Sequence, residues 1–411
     1  MTPPNSSRER SPWLLGVVLG VLYVVAIVVM RERRGLFTDE LDHYAQIALF
    51  LRGDFRILTD YLTTIPGYHA GVAAILWLCG TTSLDAARMV NAAFGLAAVA
   101  GFHMLRRQTW SGTETIATAQ FMVLPILAPL FFIVYTDVLA LALLLWATLA
   151  TLKGRHWLSA LALAMLVCVR QHEVLWAAFL VILAIWPAWR EGGLGAWRAI
   201  MVRALPYLLP IGGFLGFWAW NGSISMSRDQ SALHPDLSLH TGNPYFALFL
   251  VCILLPLQVF IGLRQFATTV RRHPWLLAIP PLLFAGFWWT FHADNPYNTV
   301  IPQYYIRNGF LQAVDADPVV RALTGMAATA AACGLAFVRL RPGNALWLYP
   351  FAAIFLAASW LIEQRYALVP LALWLVFREH RGRAVEGATF ALWLLLAVYG
   401  FHGMSSGRFF L

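Results

Sequence analysis

The sequence predicts an all-α polytopic membrane protein of about 13 (12–14) transmembrane helices with a large first external loop. Three observations lead there. Of 411 residues, 60% are apolar and only 12% charged, against roughly a quarter charged in soluble domains. Mean hydropathy is +0.67. The apolar residues gather into runs near 12–30, 66–80, 85–105, 113–134, 138–152, 157–170, 173–189, 204–220, 244–263, 274–291, 321–339, 345–361, 364–377 and 387–403. So few charges cannot cover a soluble surface, which excludes a soluble enzyme, a disordered chain and a secreted disulfide scaffold.

The first run is followed by Arg31-Glu32-Arg33-Arg34 and lacks a small-residue cleavage site, so it reads as a retained helix. Residues 31–84 form the large first external loop. Within it the 66–80 run opens with Pro66-Gly67 and carries His69. It falls short of the roughly 17 residues a span needs, so it reads as a surface or re-entrant helix. The other runs read as spans within a single domain, 1–411.

Basic residues orient the spans. Arg106-Arg107, Lys153/Arg155, Arg190/Arg198/Arg203, Arg264/Arg271/Arg272, Arg339/Arg341 and Arg378/Arg381/Arg383 fall at every second loop, and these loops read as cytoplasmic together with Arg8 and Arg10. On that assignment the inside holds 17 basic and 5 acidic residues and the outside 12 and 15, which sums to the net +9. The positive balance therefore signals orientation and not nucleic acid. Cys79, Cys168, Cys252 and Cys333 lie singly, and no histidine pair has the spacing of a zinc site. No metal or other cofactor is expected.

The polar clusters all fall on the external side: Thr38-Asp39-Glu40 with Asp42, His43 and Gln46; Thr63 to His69; Tyr135-Thr136-Asp137; Arg170-Gln171-His172-Glu173; Asn221 to Asn243 with His234 and His240; His292 to Asn295; and Glu363 to Tyr366. Ionisable groups at membrane depth cost a few kcal/mol and are usually paired or functional. Several at the ends of different helices point to a shared polar cavity. Asp39, His43 and Gln46 share one helical face. Each cluster also has a plainer reading. Asp39 and Glu40 suit a solvated first helical turn, Asp137 suits a helix cap, and Arg170–Glu173 and Glu363–Arg365 suit local ion pairs. Asn221-Gly222-Ser223 matches a glycosylation acceptor.

The ordered motifs Asp39-Glu40-x-x-His43-x-x-Gln46, Gly53-Asp54-Phe55, Thr63 to Tyr68, Arg88-x-x-Asn91, Tyr135-Thr136-Asp137, Arg170-Gln171, Ala293-Asp294-Asn295, Glu363-x-Arg365-Tyr366 with Pro370, and Gly407 to Leu411 resemble the dolichyl-phosphate-glucose α-1,2-glucosyltransferase family. The chain departs at His172-Glu173, where the family usually has another polar residue and an asparagine, and before Asp236. The resemblance implies a GT-C glycosyltransferase fold with an active site at the external membrane face. It implies a polyprenyl (dolichyl)-phosphate-glucose donor, a glycan or lipid-linked oligosaccharide acceptor, and an α-1,2 linkage formed with inversion. The site is then expected in the periplasm of a bacterial inner membrane, or in the ER lumen of a eukaryote. Asp39 or Glu40 is the expected base, with Arg365 and Arg170 on the donor phosphate. Sugar or acceptor contacts are expected from His43, Gln46, Thr64, Tyr135, Asp137, Gln171, His234, Asp294, Asn295, Glu363 and Tyr366. A transferase of mannose or arabinose, and a lipid or solute transporter, are the competing readings.

Overall fold

The computed structural model describes residues 12–32, 35, 37–59, 62–227, 233, 235–236, 238–300 and 304–410. Among them the protein is all-α. The only β features are isolated bridges, Tyr305 with Phe410 and Leu340 with Arg378.

The expected thirteen or so spans are not what folds. Among the described residues, four helical runs are long and apolar enough to cross a membrane: Leu84–Thr109, Gln171–Asn221, Pro318–Leu335 and Arg383–Ser405. A fifth arises if Gly242–Leu254 and Pro256–Val270, bent by 103°, count as one. The reason is helix length. The 113–134 run breaks into the helix Glu114–Met122 and a 3₁₀ turn at Ala128–Phe132 that begins beside Pro129. The 274–291 run starts as a 3₁₀ turn, Pro274–Ala278, and becomes helical only at Ile279–Thr290, where Pro280 and Pro281 follow. The run at 345–361 likewise divides into Gly343–Trp347 and Leu348–Ala357. The run 364–377 begins as the 3₁₀ turn Gln364–Ala367 before the helix Leu368–Phe377. At about 1.5 Å per residue, such pieces fall well short of a hydrocarbon core of about 30 Å. The runs 173–189 and 204–220 merge instead into one helical stretch of 51 residues. Hydropathy counted apolar runs, whereas continuous helix needs unbroken backbone hydrogen bonds; proline stands at the start of several of these pieces, while Thr136–Leu152 and His156–Val169 end without one.

The long helices have local reasons to form. Ser83 caps Leu84–Thr109 by accepting from the Ala86 N–H at 3.1 Å, Asp85 sits in the first turn, and Arg106 and Arg107 sit in the last. Asp317 caps Pro318–Leu335 at the N–H groups of Val319 and Val320, with Pro318 at its first position. That helix meets Pro256–Val270 backbone to backbone. A Cβ on Gly262 would lie 2.2 Å from the Gly334 carbonyl oxygen, a small-residue contact of the kind that lets helices approach in lipid.

Arg106 and Arg378, expected as loop charges, are each only 1% exposed. Arg378 donates to Glu386 at 2.5 and 2.7 Å and to Gln120 at 2.9 Å, and Arg106 donates to the carbonyls of Leu375, Val376 and Arg378. These bonds tie the ends of Leu84–Thr109, Leu368–Phe377 and Arg383–Ser405 together.

Candidate functional site

Four segments far apart in sequence place carboxylates and guanidinium groups side by side. Asp39 stands at the N-terminus of the helix Glu40–Leu51, Asp137 in the first turn of Thr136–Leu152, Arg170 at the end of His156–Val169, and Glu363 and Arg365 at the start of the turn Gln364–Ala367. Arg365 is the hub. Its Nη2 donates to Asp39 Oδ2 at 3.1 Å and its Nε to Glu363 Oε1 at 2.7 Å, its Nη1 lies 3.6 Å from Asp137 Oδ2, and the guanidinium sits 5.0 Å from the Tyr135 ring centroid. Arg170 donates to Asp137 Oδ1 at 2.5 Å and lies 3.6 Å from Glu173. Arg307 pairs with the same Glu363 oxygen that Arg365 uses.

The plain readings are thus partly met. Glu363–Arg365 and Arg170–Glu173 do pair locally, but each arginine also reaches a carboxylate more than thirty residues away. Asp137 does not cap its helix; its carboxylate faces the two arginines. Asp137 Oδ2, Arg170 Nε and Thr64 Oγ1 are buried with no hydrogen-bond partner. Asp137 Oδ2 and Arg170 Nε each face an opposite charge at 3.6 Å, too far for a hydrogen bond; most buried polar atoms are satisfied, so a polar ligand could complete these.

Asp39 and Glu40 differ sharply although adjacent. Glu40 is fully buried. Its carboxylate accepts from Arg88 at 3.0 and 2.6 Å, from the Val134 N–H at 2.9 Å and from the Phe37 N–H at 3.1 Å. Every lone pair is therefore engaged. The Asp39 side chain is 50% exposed, and its ion pair is with Arg365.

The remaining expected residues divide in two. Gln46 is fully buried, with its amide on the Arg56 carbonyl and the Leu58 N–H. It therefore does not share an open face with Asp39. Gln171 likewise binds the Ile65 N–H and the carbonyls of Thr63 and Ile224, and Asn295 caps the turn Pro296–Thr299 through the Tyr297 N–H. These three amides hold loops. Tyr135 pairs its hydroxyl with Thr38 Oγ1 at 2.5 Å. His43 lies 2.9 Å from His69, nitrogen to nitrogen, and edge-on to Tyr135. Burial lowers the His43 pKa, with the positive charges of Arg365 and Arg170 adding to it, to about 3, so the ring is neutral. Burial opposes ionisation of Glu363, but Arg307 and Arg365 outweigh it and hold its carboxyl at about 2. Asp294 is exposed and accepts from the Trp360 indole at 2.8 Å, and Tyr366 is half-buried against the main core. His234 lies outside the described residues.

Residues 34–194 match a family model described as the DIE2/ALG10 family. The chain is related to that family. Two curated relatives carry the name Dol-P-Glc:Glc(2)Man(9)GlcNAc(2)-PP-Dol alpha-1,2-glucosyltransferase. The one from Candida glabrata is 24% identical over 251 residues, covering 52% of this chain and 45% of the relative. The one from Arabidopsis thaliana is 30% identical over 165 residues, covering 35% and 32%. The matched stretch thus spans less than half the length of either relative. Crystal structures of ArnT from Cupriavidus metallidurans, apo and bound to undecaprenyl phosphate, are each 17% identical and cover 94% of this chain and 77% of theirs, with TM-scores of 0.44 and 0.35.

The DIE2/ALG10 match includes Asp39, Glu40, Arg88, Asp137 and Arg170 but stops before Arg307, Glu363 and Arg365. Sequence reasoning missed several members of the constellation. Arg88 stood in a quoted motif, yet nothing in the sequence tied it to Glu40. Arg307 had no signal beyond being a lone cation after Tyr304-Tyr305-Ile306. Asn243 and Asn298 were also unmarked. Asn243 binds the carbonyls of Ser359 and Leu361 and the Glu363 N–H, and Asn298 binds both the N–H and the carbonyl of Ile362. Together they hold the backbone from which Glu363 and Arg365 project. Among the described residues, no group of three or more histidine, cysteine, aspartate or glutamate side chains is placed to hold a metal ion.

Proposed function

We propose that the protein is an integral-membrane glycosyltransferase that moves glucose from a polyprenyl (dolichyl)-phosphate-glucose donor to a glycan or lipid-linked oligosaccharide, forming an α-1,2 linkage with inversion. The observation that carries the reading is the pair of an exposed Asp39 carboxylate and the Arg365 guanidinium at 3.1 Å. The relation to the DIE2/ALG10 family and the names of the curated relatives support the sugar and the linkage.

In this mechanism Asp39 takes the proton of an acceptor hydroxyl, whose oxygen attacks the anomeric carbon of the β-linked glucose. The bond from that carbon to the phosphate oxygen breaks, and the phosphate leaves from the opposite face with the electron pair. Arg365, with Arg170 behind Asp137, meets the charge on the leaving group. The free site has four carboxylates (Asp39, Asp137, Glu173, Glu363) and three arginines (Arg170, Arg307, Arg365) in contact. A donor phosphate would take the Arg365 N–H that Asp39 now holds, and so release Asp39 for the acceptor. Glu40, with every lone pair engaged, serves the fold of this turn and not proton transfer. His43, Thr64, Asp137, Asp294 and Tyr366 remain for sugar hydroxyls, while Gln46, Gln171 and Asn295 shape the loops.

An apolar groove of about 170 Å³ runs between Gly242–Leu254, Leu348–Ala357 and Leu368–Phe377, lined by Val251, Tyr349, Leu356, Pro370, Trp374 and, two residues from Arg365, Ala367. It suits the first isoprene units of the donor. The test is transfer by the purified protein from synthetic polyprenyl-phosphate glucose, mannose and arabinose, with the product linkage read by NMR. Transfer of glucose into an α-1,2 bond is expected. Transfer of mannose or arabinose alone would replace the sugar, and absence of transfer from every donor would remove the activity.

A further inference from the structure

Asp39 follows Thr38, whose φ of +34° lies in the left-handed region that β-branched residues rarely adopt. Such a backbone persists only when its surroundings hold it. The Thr38 hydroxyl meets the Tyr135 hydroxyl at 2.5 Å. Behind Tyr135 lies Phe410, 372 positions after Thr38 and 3% exposed. Its ring stacks on Tyr135 with centroids 6.3 Å apart at 24°, and it also packs on Phe37 at 6.3 Å. Its backbone is pinned on both sides, with its N–H on the Tyr304 carbonyl at 2.7 Å and its carbonyl accepting from Ile306 at 3.0 Å.

We propose that Phe410 is a positioning residue for Asp39. Its ring fixes the plane of Tyr135, the Tyr135 hydroxyl fixes Thr38, and the strained Thr38 aims the carboxylate that follows it. Glu40 holds the same turn from the other side through the Phe37 N–H. The inference rests on the reading of Asp39 as the base. A base displaced by about 1 Å can cost on the order of 10²-fold in rate.

The test measures kcat and donor KM for Phe410→Ala, Phe410→Tyr, Tyr135→Phe, the double variant Phe410→Ala/Tyr135→Phe, and Asp39→Asn. The expected result is that Phe410→Ala and Tyr135→Phe each lower kcat by roughly 10-fold or more while donor KM stays within about twofold. Phe410→Tyr should restore most of the rate, and the double variant should be no worse than the weaker single one. If Phe410→Ala does not accumulate, Tyr135→Phe carries the same test, because it removes only the hydroxyl. Wild-type kcat in Tyr135→Phe, multiplicative losses in the double variant, or a loss confined to donor KM would each overturn the inference. The last would place the effect on Arg365, which also lies over Tyr135. Substantial activity in Asp39→Asn would instead overturn the base assignment itself, so the two failures are distinguishable.

Discussion

The contrast between Asp39 and Glu40 predicts opposite outcomes for two neighbouring isosteric substitutions. Asp39→Asn removes a charge that is half exposed and holds one 3.1 Å contact with Arg365. Exposed ion pairs contribute about 0–1 kcal/mol, so this variant should melt with the parent protein. Its turnover should fall by roughly 10² to 10⁴-fold, the range for loss of a general base. Glu40→Gln replaces a fully buried carboxylate that satisfies Arg88 twice and two backbone N–H groups. Its new amide turns one acceptor into a donor that faces Arg88 or an N–H, and it leaves the guanidinium without a counter-ion. Breaking a buried pair in this way costs about 3–5 kcal/mol. The assays are thermal unfolding in detergent followed by tryptophan fluorescence, and glucosyl transfer on the same preparations. Glu40→Gln should lower the melting temperature by several degrees or fail to accumulate, while Asp39→Asn should be folded and inactive. The reasoning fails if Glu40→Gln melts normally and is inactive while Asp39→Asn retains turnover, because the two residues would then have exchanged roles.

Three further outcomes follow. Arg365→Ala should weaken donor binding by about 10-fold or more, as expected for loss of a charge-assisted hydrogen bond of roughly 1.5–3 kcal/mol; unchanged donor affinity in a direct binding assay would contradict it. Glu363 has a folded-state pKa of about 2 against an ordinary value of 4.5, so its contribution to stability is fully present above 4.5 and is lost as the pH falls toward 2. Melting temperature should drop across that window, and Glu363→Gln should flatten the drop while lowering stability at neutral pH. Asn221 donates both side-chain N–H groups to the carbonyls of Ser223 and Ser225 at 2.8 Å, so expression in a glycosylating host should leave the mass unchanged after glycosidase treatment; a shift on digestion that Asn221→Gln abolishes would refute this.

The candidate site was legible in part, and the division has a physical cause. Asp39, Asp137, Arg170, Glu363 and Arg365 could be singled out because charges are rare in so apolar a chain, and rarity itself marks them. Their pairing could not be read, because Arg365 meets Asp39 across 326 positions and Arg88 meets Glu40 across 48. Gln46, Gln171 and Asn295 looked the same as ligand-binding residues in sequence. Only the backbone groups beside them show that their amides are already used. Phe410 was marked only as part of the closing stretch Gly407 to Leu411, since one aromatic residue among 58 becomes a buttress only by lying against Tyr135.

The sequence by itself determined that this chain is helical and apolar, since those properties follow from composition and from local periodicity. It also brought the family relationship into view through motifs that keep their order. Tertiary structure alone decided how many helices are long enough to cross a membrane, because a run of apolar residues becomes one long helix, two short ones or a bent pair according to where proline and packing interrupt the hydrogen bonds. It also decided which of two adjacent acids faces outward. Asp39 and Glu40 are chemically near-equivalent in sequence, and only the position of Arg88 and of the Val134 N–H commits one of them to the core.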